Sequence, residues 1–271
     1  MNKKYHTKVL MVGVVALLAV SAFATIASAN HSWGGYHWAR TANPFTLKLG
    51  DNVSTAWDQH LATTSVDWSV SSVLDTVIVP ILSNHKNCRP TAGRVEVCNR
   101  TYGNNGWLGI ASIWVSGSHI TQGTVKLNDT YFNTAKYNTP AWRQLVMCQE
   151  VGHTLGLDHQ DEIFTNANLG TCMDYTNNPS TNQHPNAHDY SQLETIYAHL
   201  DSITTLFGKA SSAGAARVAD INTEDSSEWG KEVRKSHDGR SSLHERDLGK
   251  GGFWCIKSMV SRPTDLYRKS Q

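Results

Sequence analysis

The run Cys148-Gln149-Glu150-Val151-Gly152-His153-Thr154-Leu155-Gly156-Leu157-Asp158-His159 decides how the rest of the chain is read. Gln149 and His153 are four residues apart, so a helix places both side chains on one face, one turn from each other, where they can meet one ion. Glu150 sits beside them. Gly156 supplies a residue able to end the helix in a left-handed conformation, which lets the chain fold back and bring His159 to the same point from another direction. Three ligand-type positions and one carboxylate converge.

Working outward, Thr139-Pro140 reads as an N-cap followed by proline at the first helical position, so the helix carrying this run starts there. Ala141, Trp142, Leu145, Val146, Val151 and Leu155 give it an apolar face. Before it, Phe45 to Leu49 alternates as a half-buried strand, and Val53 to Val66 has the spacing of an amphipathic helix opened by Asp51 or Asn52. Further strands are expected around Thr76 to Val79, over Val95 to Cys98 and over Trp107 to Val115. His119 to Leu127 alternates more weakly and reads as an edge strand. After the quoted run, Leu193, Ile196, Tyr197 and Leu200 mark a last helix capped by Asn186 or Asp189. Strand, helix, several strands, central helix, loop and last helix make an α+β layout.

The first 29 residues stand apart. Lys3, Lys4, His6 and Lys8 precede a short apolar run, Val9 to Val20, and Ala27-Ser28-Ala29 is a small-x-small cleavage site, so 1–29 reads as a secretory signal peptide. The apolar run is short for a membrane span, which needs about 20 residues. The expected mature chain of about 240 residues is exported, without stable membrane insertion, and long enough for one large domain. A formal net charge of +1 leaves no basic excess for nucleic acid.

Five cysteines in an exported chain favour disulfides. Cys88 and Cys98 flank a turn-like segment and are expected to pair. Cys148 opens the quoted run and Cys172 directly precedes Met173, so a second bridge would tie the helix to the loop beneath it. Cys255 is left over. Beyond Phe207 charge becomes dense over residues 220 to 250, and 208–271 reads as a linker and a solvated, largely disordered tail. The aromatic tract His31, Trp33, Tyr36, His37 and Trp38 reads as packing and surface residues and is given no function.

The quoted run resembles the signature of the metzincin zinc endopeptidases, H-E-x-x-H-x-x-G-x-x-H with a methionine-containing turn downstream. Gln149, Glu150, His153, Gly156 and His159 occupy its positions, and Gly170-Thr171-Cys172-Met173-Asp174-Tyr175 matches the turn. The layout is most similar to the matrixins. That resemblance implies a mixed five-stranded sheet, a central active-site helix, a Met-turn and a C-terminal helix, spanning residues 30–207. It implies Zn2+ held by residues 149, 153 and 159, with Met173 packed beneath. Glu150 would be the general base toward a metal-bound water, and Tyr175 would bind metal or steady the oxyanion.

The expected activity is that of a secreted, monomeric endopeptidase acting on a protein or peptide substrate. One position departs from the family. Gln149 stands where the first histidine belongs, and a neutral amide oxygen is a poorer zinc donor than an imidazole nitrogen. The alternative is therefore a catalytically inactive, exported binding protein on the same scaffold. His184 and His188 offer further imidazoles, but Pro185 and Asn186 already explain that segment as a helix entry.

Overall fold

Three tryptophans and a group of aliphatic strand residues set the layers. Trp57 and Trp68 on the early helix and Trp38 on the first strand are fully buried, together with Leu47, Leu49, Val95, Val97, Val125 and Leu127 from the sheet. The computed structural model describes residues 30–80, 88–206, 221–249 and 252–260. The signal peptide expected over 1–29 and the linker expected from 208 to 220 lie outside the described residues. Among the described residues, no helix is long and apolar enough to cross a membrane.

The strands are β1 (His37–Trp38), β2 (Phe45–Asn52), β3 (Leu74–Pro80), β4 (Arg94–Arg100), β5 (Trp107–Ser116), β6 (His119–Asn128), β7 (Lys231–Lys235), β8 (Ser241–Gly249) and β9 (Gly252–Val260). The helices are α1 (Thr55–Trp68), α2 (Asp129–Phe132), α3 (Pro140–Thr154) and α4 (Ala187–Ile196). The strand order is β3-β2-β4-β6-β5-β9-β8-β7, with β1 pairing parallel to β6 at His37↔His119. β3, β2, β4 and β6 run parallel, and β5 is antiparallel to β6. The protein is α+β with a mixed sheet.

α1 and α3 lie together. Trp68 Nε1 donates to the Cys148 carbonyl at 3.2 Å and Gln144 Nε2 to Thr64 Oγ1 at 3.1 Å, so polar groups in the contact are satisfied rather than stranded. Thr139 caps α3 by accepting from Trp142 N, with Pro140 in the first turn. Asn186 and Asp189 form a reciprocal capping box on α4. Asp189 is buried and also accepts from Gln160 Nε2 at 2.9 Å and lies 3.1 Å from His31 Nε2.

Two expectations are corrected here. β6 is not an edge strand, because β4 and β5 flank it. Its polar residues are covered: Gln122, Thr124 and Lys126 are buried, and Lys126 Nζ donates to Thr223 Oγ1 at 2.6 Å. The described part of 208–271 is not a disordered tail. β9 pairs antiparallel with β5, β8 with β9 and β7 with β8, so the sheet grows past five strands. The driving residues are few and apolar. Trp229, Trp254 and Ile256 bury against Trp107, Ile110 and Trp114 of β5 in a second cluster, and Cys255 joins the main core. The charged residues of β7 are exposed, whereas Glu245 and Arg246 of β8 are half-buried.

Candidate metal centre

α3 runs through the quoted stretch to Thr154, and Gly156 then takes φ +97°. Its amide donates to the His153 carbonyl at 3.0 Å, and a Cβ there would stand 2.3 Å from the Tyr36 carbonyl oxygen. Both the left-handed conformation and the close approach require glycine. The chain turns back at this point, as the sequence predicts, and His159 returns to the helix.

The two imidazoles meet. His153 Nε2 lies 2.9 Å from His159 Nε2. The far nitrogen of each ring is already committed: His153 Nδ1 faces the Leu157 carbonyl at 2.9 Å and His159 Nδ1 faces Glu162 Oε1 at 3.1 Å. Carbonyl and carboxylate oxygens only accept, so each neutral ring carries its proton on Nδ1 and turns the Nε2 lone pair toward the other. Two lone pairs at this distance repel unless a cation lies between them. Burial keeps His159 neutral, lowering its pKa against the opposing pull of Glu162. Two imidazole ligands of a tetrahedral zinc ion, each at 2.0–2.1 Å, are about 3.3 Å apart, so the pair needs only a small opening to hold one.

Gln149 is fully buried one turn earlier on the same helix. Its Nε2 donates to the Cys172 carbonyl at 2.9 Å, which fixes the amide and leaves Oε1 buried with no hydrogen-bond partner among the described residues. A desolvated carbonyl oxygen without a donor costs about 1–3 kcal/mol, and a cation satisfies it. A buried amide oxygen without a donor and two facing imidazole nitrogens are donor types that suit a zinc ion. Glu150 is fully buried against β5, at Gly109. A Cβ on Gly109 would come within 2.8 Å of Glu150 Oε1 and 2.6 Å of Val146 Cγ1. Gly109 thus makes the space for the carboxylate, a role that its position inside an apolar strand does not announce.

Beneath the helix, the buried Met173 packs where Gly152 leaves room: a Cβ there would meet its sulfur at 2.7 Å. Cys148 and Cys172 are bonded, as are Cys88 and Cys98, while Cys255 is a buried free thiol. Tyr175 is buried with its ring 4.0 Å from that of His159 and stacked on Phe164. Burial pushes its phenol well above the usual range. His184 instead pairs with Asp67 Oδ2 at 2.7 Å, and His188 stacks on His31.

The sequence misses what covers this site. Arg234 of β7 reaches Asp158 Oδ2 at 2.6 Å and Glu162 Oε1 at 3.1 Å, gripping the residue before His159 and the carboxylate that orients it. Arg240 lies over the Phe164 ring and Ser241 faces the Tyr175 hydroxyl. The C-terminal strands thus contribute side chains that pack over the candidate centre.

No family model matches the chain, and no curated protein matches it. Among solved structures it is similar to one described as the structure of myroilysin, at 10% identity and a TM-score of 0.35, over 59% of this chain and 82% of that one. A second, the crystal structure of myroilysin, shows 11% identity and a TM-score of 0.33 over 65% and 97% of the two chains.

Proposed function

We propose that the chain is an exported, zinc-dependent endopeptidase of metzincin type, matrixin-like in layout, which acts on protein or peptide substrates as a monomer. The facing Nε2 atoms of His153 and His159, 2.9 Å apart with both Nδ1 atoms engaged, carry this reading. His153, His159 and Gln149 would hold the ion. When bound, zinc acts as a Lewis acid toward water and the scissile carbonyl.

The chain's own residues do the rest. Glu150 takes the proton of the attacking water and hands it to the leaving amine. Glu162 holds the His159 tautomer through Nδ1, as outer-shell carboxylates of metal-bound histidines do. Tyr175, neutral because it is buried, donates a hydrogen bond to the developing oxyanion. Met173 and the Cys148–Cys172 bond fix the floor. Arg234 and the β7–β8 hairpin keep substrate out until they are displaced.

The reading is tested by casein cleavage with the mature protein. Cleavage blocked by chelator and lost in Glu150→Ala supports it; a Glu150→Ala chain that cleaves as fast as wild type refutes the mechanism. One observation favours a second reading, a non-catalytic binding protein on this scaffold. The Gln149 amide holds the Cys172 carbonyl at 2.9 Å, a structural bond that needs no ion. Chelator-sensitive turnover eliminates that reading.

A further inference from the structure

A second set of histidines gathers at the start of β6, outside the signature stretch and its downstream turn. His37 on β1 and His119 at the start of β6 are register partners, so they project side by side. His199 and Asp201 follow α4, on a segment held beside β1 by Asp201 N donating to the Arg40 carbonyl at 2.9 Å and Thr205 N to the Ala39 carbonyl at 3.0 Å. Arg40, itself buried, holds Asp201 Oδ2 at 2.9 Å through Nη1. The other oxygen, Oδ1, is turned to the imidazoles.

His37 Nδ1 faces the Gly35 carbonyl at 3.0 Å and so bears the proton, leaving a lone pair on Nε2. That lone pair faces Asp201 Oδ1 at 3.6 Å and His199 Nε2 at 3.2 Å, the latter free to take its tautomer from whatever the pair binds. His199 Nε2 is 3.7 Å from the same oxygen. Ligand atoms of a tetrahedral zinc ion are separated by about 3.3 Å, given bonds of 2.0–2.1 Å, and these three separations bracket that value. His119 Nε2 lies 3.1 Å from Asp201 Oδ1 and steadies it.

We propose that His37, His199 and Asp201 form a second metal site, for a borderline transition-metal dication such as Zn2+, with His119 as the positioning residue on the carboxylate. Two imidazoles and one carboxylate select such ions over Ca2+ and Mg2+, which prefer all-oxygen shells. His199 is 54% exposed at the side chain, so the ion has an entry path and a fourth position open to water. The site pins the first strand to the segment that follows the last helix. It is independent of the proposed catalytic centre.

The test is zinc stoichiometry of the dialysed mature chain, measured for wild type, His153→Ala, His199→Ala and the double variant. Two ions are expected in wild type, one in each single variant and none in the double. His119→Ala should bind at the second site about 10 to 100-fold more weakly. Because His199 is half exposed its removal leaves the fold intact, which circular dichroism confirms, and added Zn2+ should raise the melting temperature of His153→Ala but not of the double variant. If the catalytic reading alone fails, wild type binds one ion that His199→Ala loses. A zinc count and affinity unchanged by His199→Ala overturn the second site.

Discussion

Glu162 Oε1 stands between His159 Nδ1 and Arg234 Nη2, 3.1 Å from each, so one carboxylate joins the candidate centre to the strand that covers it. Arg234 also grips Asp158 at 2.6 Å, next in sequence to His159. The orientation of His159 and the closure of the candidate centre are thereby coupled through one side chain.

Arg234→Ala removes the clamp without touching Glu150 or the imidazoles. Its guanidinium is part-exposed, so the loss is modest: on the order of tenfold in the closed-to-open ratio, equivalent to about 1.4 kcal/mol. Chelator-sensitive peptide hydrolysis should rise by a similar factor. Equal rates in variant and wild type would show that the hairpin does not gate access.

Gly109→Ala places a Cβ against Glu150 and Val146. Overpacking of this kind costs about 1–3 kcal/mol. The expected outcome is a lower urea midpoint together with a fall in hydrolysis larger than the unfolded fraction explains, because Glu150 is pushed from its place.

Stability should depend on Glu96 in acid. It is fully buried and bonded to Arg94, Nε to Oε1 at 2.6 Å and Nη2 to Oε2 at 2.8 Å, and to Asn52 at 2.7 Å. Burial alone would raise its pKa, but the Arg94, Thr91 and Asn52 bonds and the Arg94 charge outweigh it and hold the carboxyl below the usual range. A depressed carboxylate contributes fully above its unfolded pKa of about 4.3 and loses that contribution as pH falls through the folded value. Glu96→Gln should flatten this acid limb of a urea-denaturation pH series and, by leaving Arg94 buried and unpaired, cost about 3–5 kcal/mol at neutral pH.

Cys255 reports on the C-terminal strands. Its thiol is buried in the core and pushed up to about 12, chiefly by burial. Native protein at pH 8 should resist a thiol reagent, and denatured protein should label at one site. Rapid labelling of native protein would mean that β9 is not docked on β5.

The sequence made the central helix legible because its signals agree: a capped start at Thr139-Pro140, a continuous apolar face, and glycine where φ turns positive. Alternation marks β2 and, weakly, β6, and short apolar runs mark β3 to β5, but the position of β6 in the sheet is not legible. Its polar residues look solvent-facing until Thr223 and the second tryptophan cluster cover them. The C-terminal strands were hidden by charge. Periodicity over 231–249 is swamped by exposed charged residues, and three buried side chains, Trp229, Trp254 and Ile256, do the anchoring. At the site, Gln149, His153 and His159 were found by spacing, whereas Gly109 and Arg234 act across strands and leave no local pattern. His37, His119, His199 and Asp201 are likewise scattered in sequence and meet only through the β1–β6 register and the segment after α4 that bonds to Ala39 and Arg40.

The most direct test of the central claim is metal analysis of the mature His199→Ala chain, in which the second cluster cannot contribute. One zinc per chain, lost in His199→Ala/His153→Ala and bound at least about tenfold more tightly when Gln149→His is added, is the predicted result. A His199→Ala chain that binds no zinc at micromolar concentration, or that keeps its zinc without His153, would contradict it.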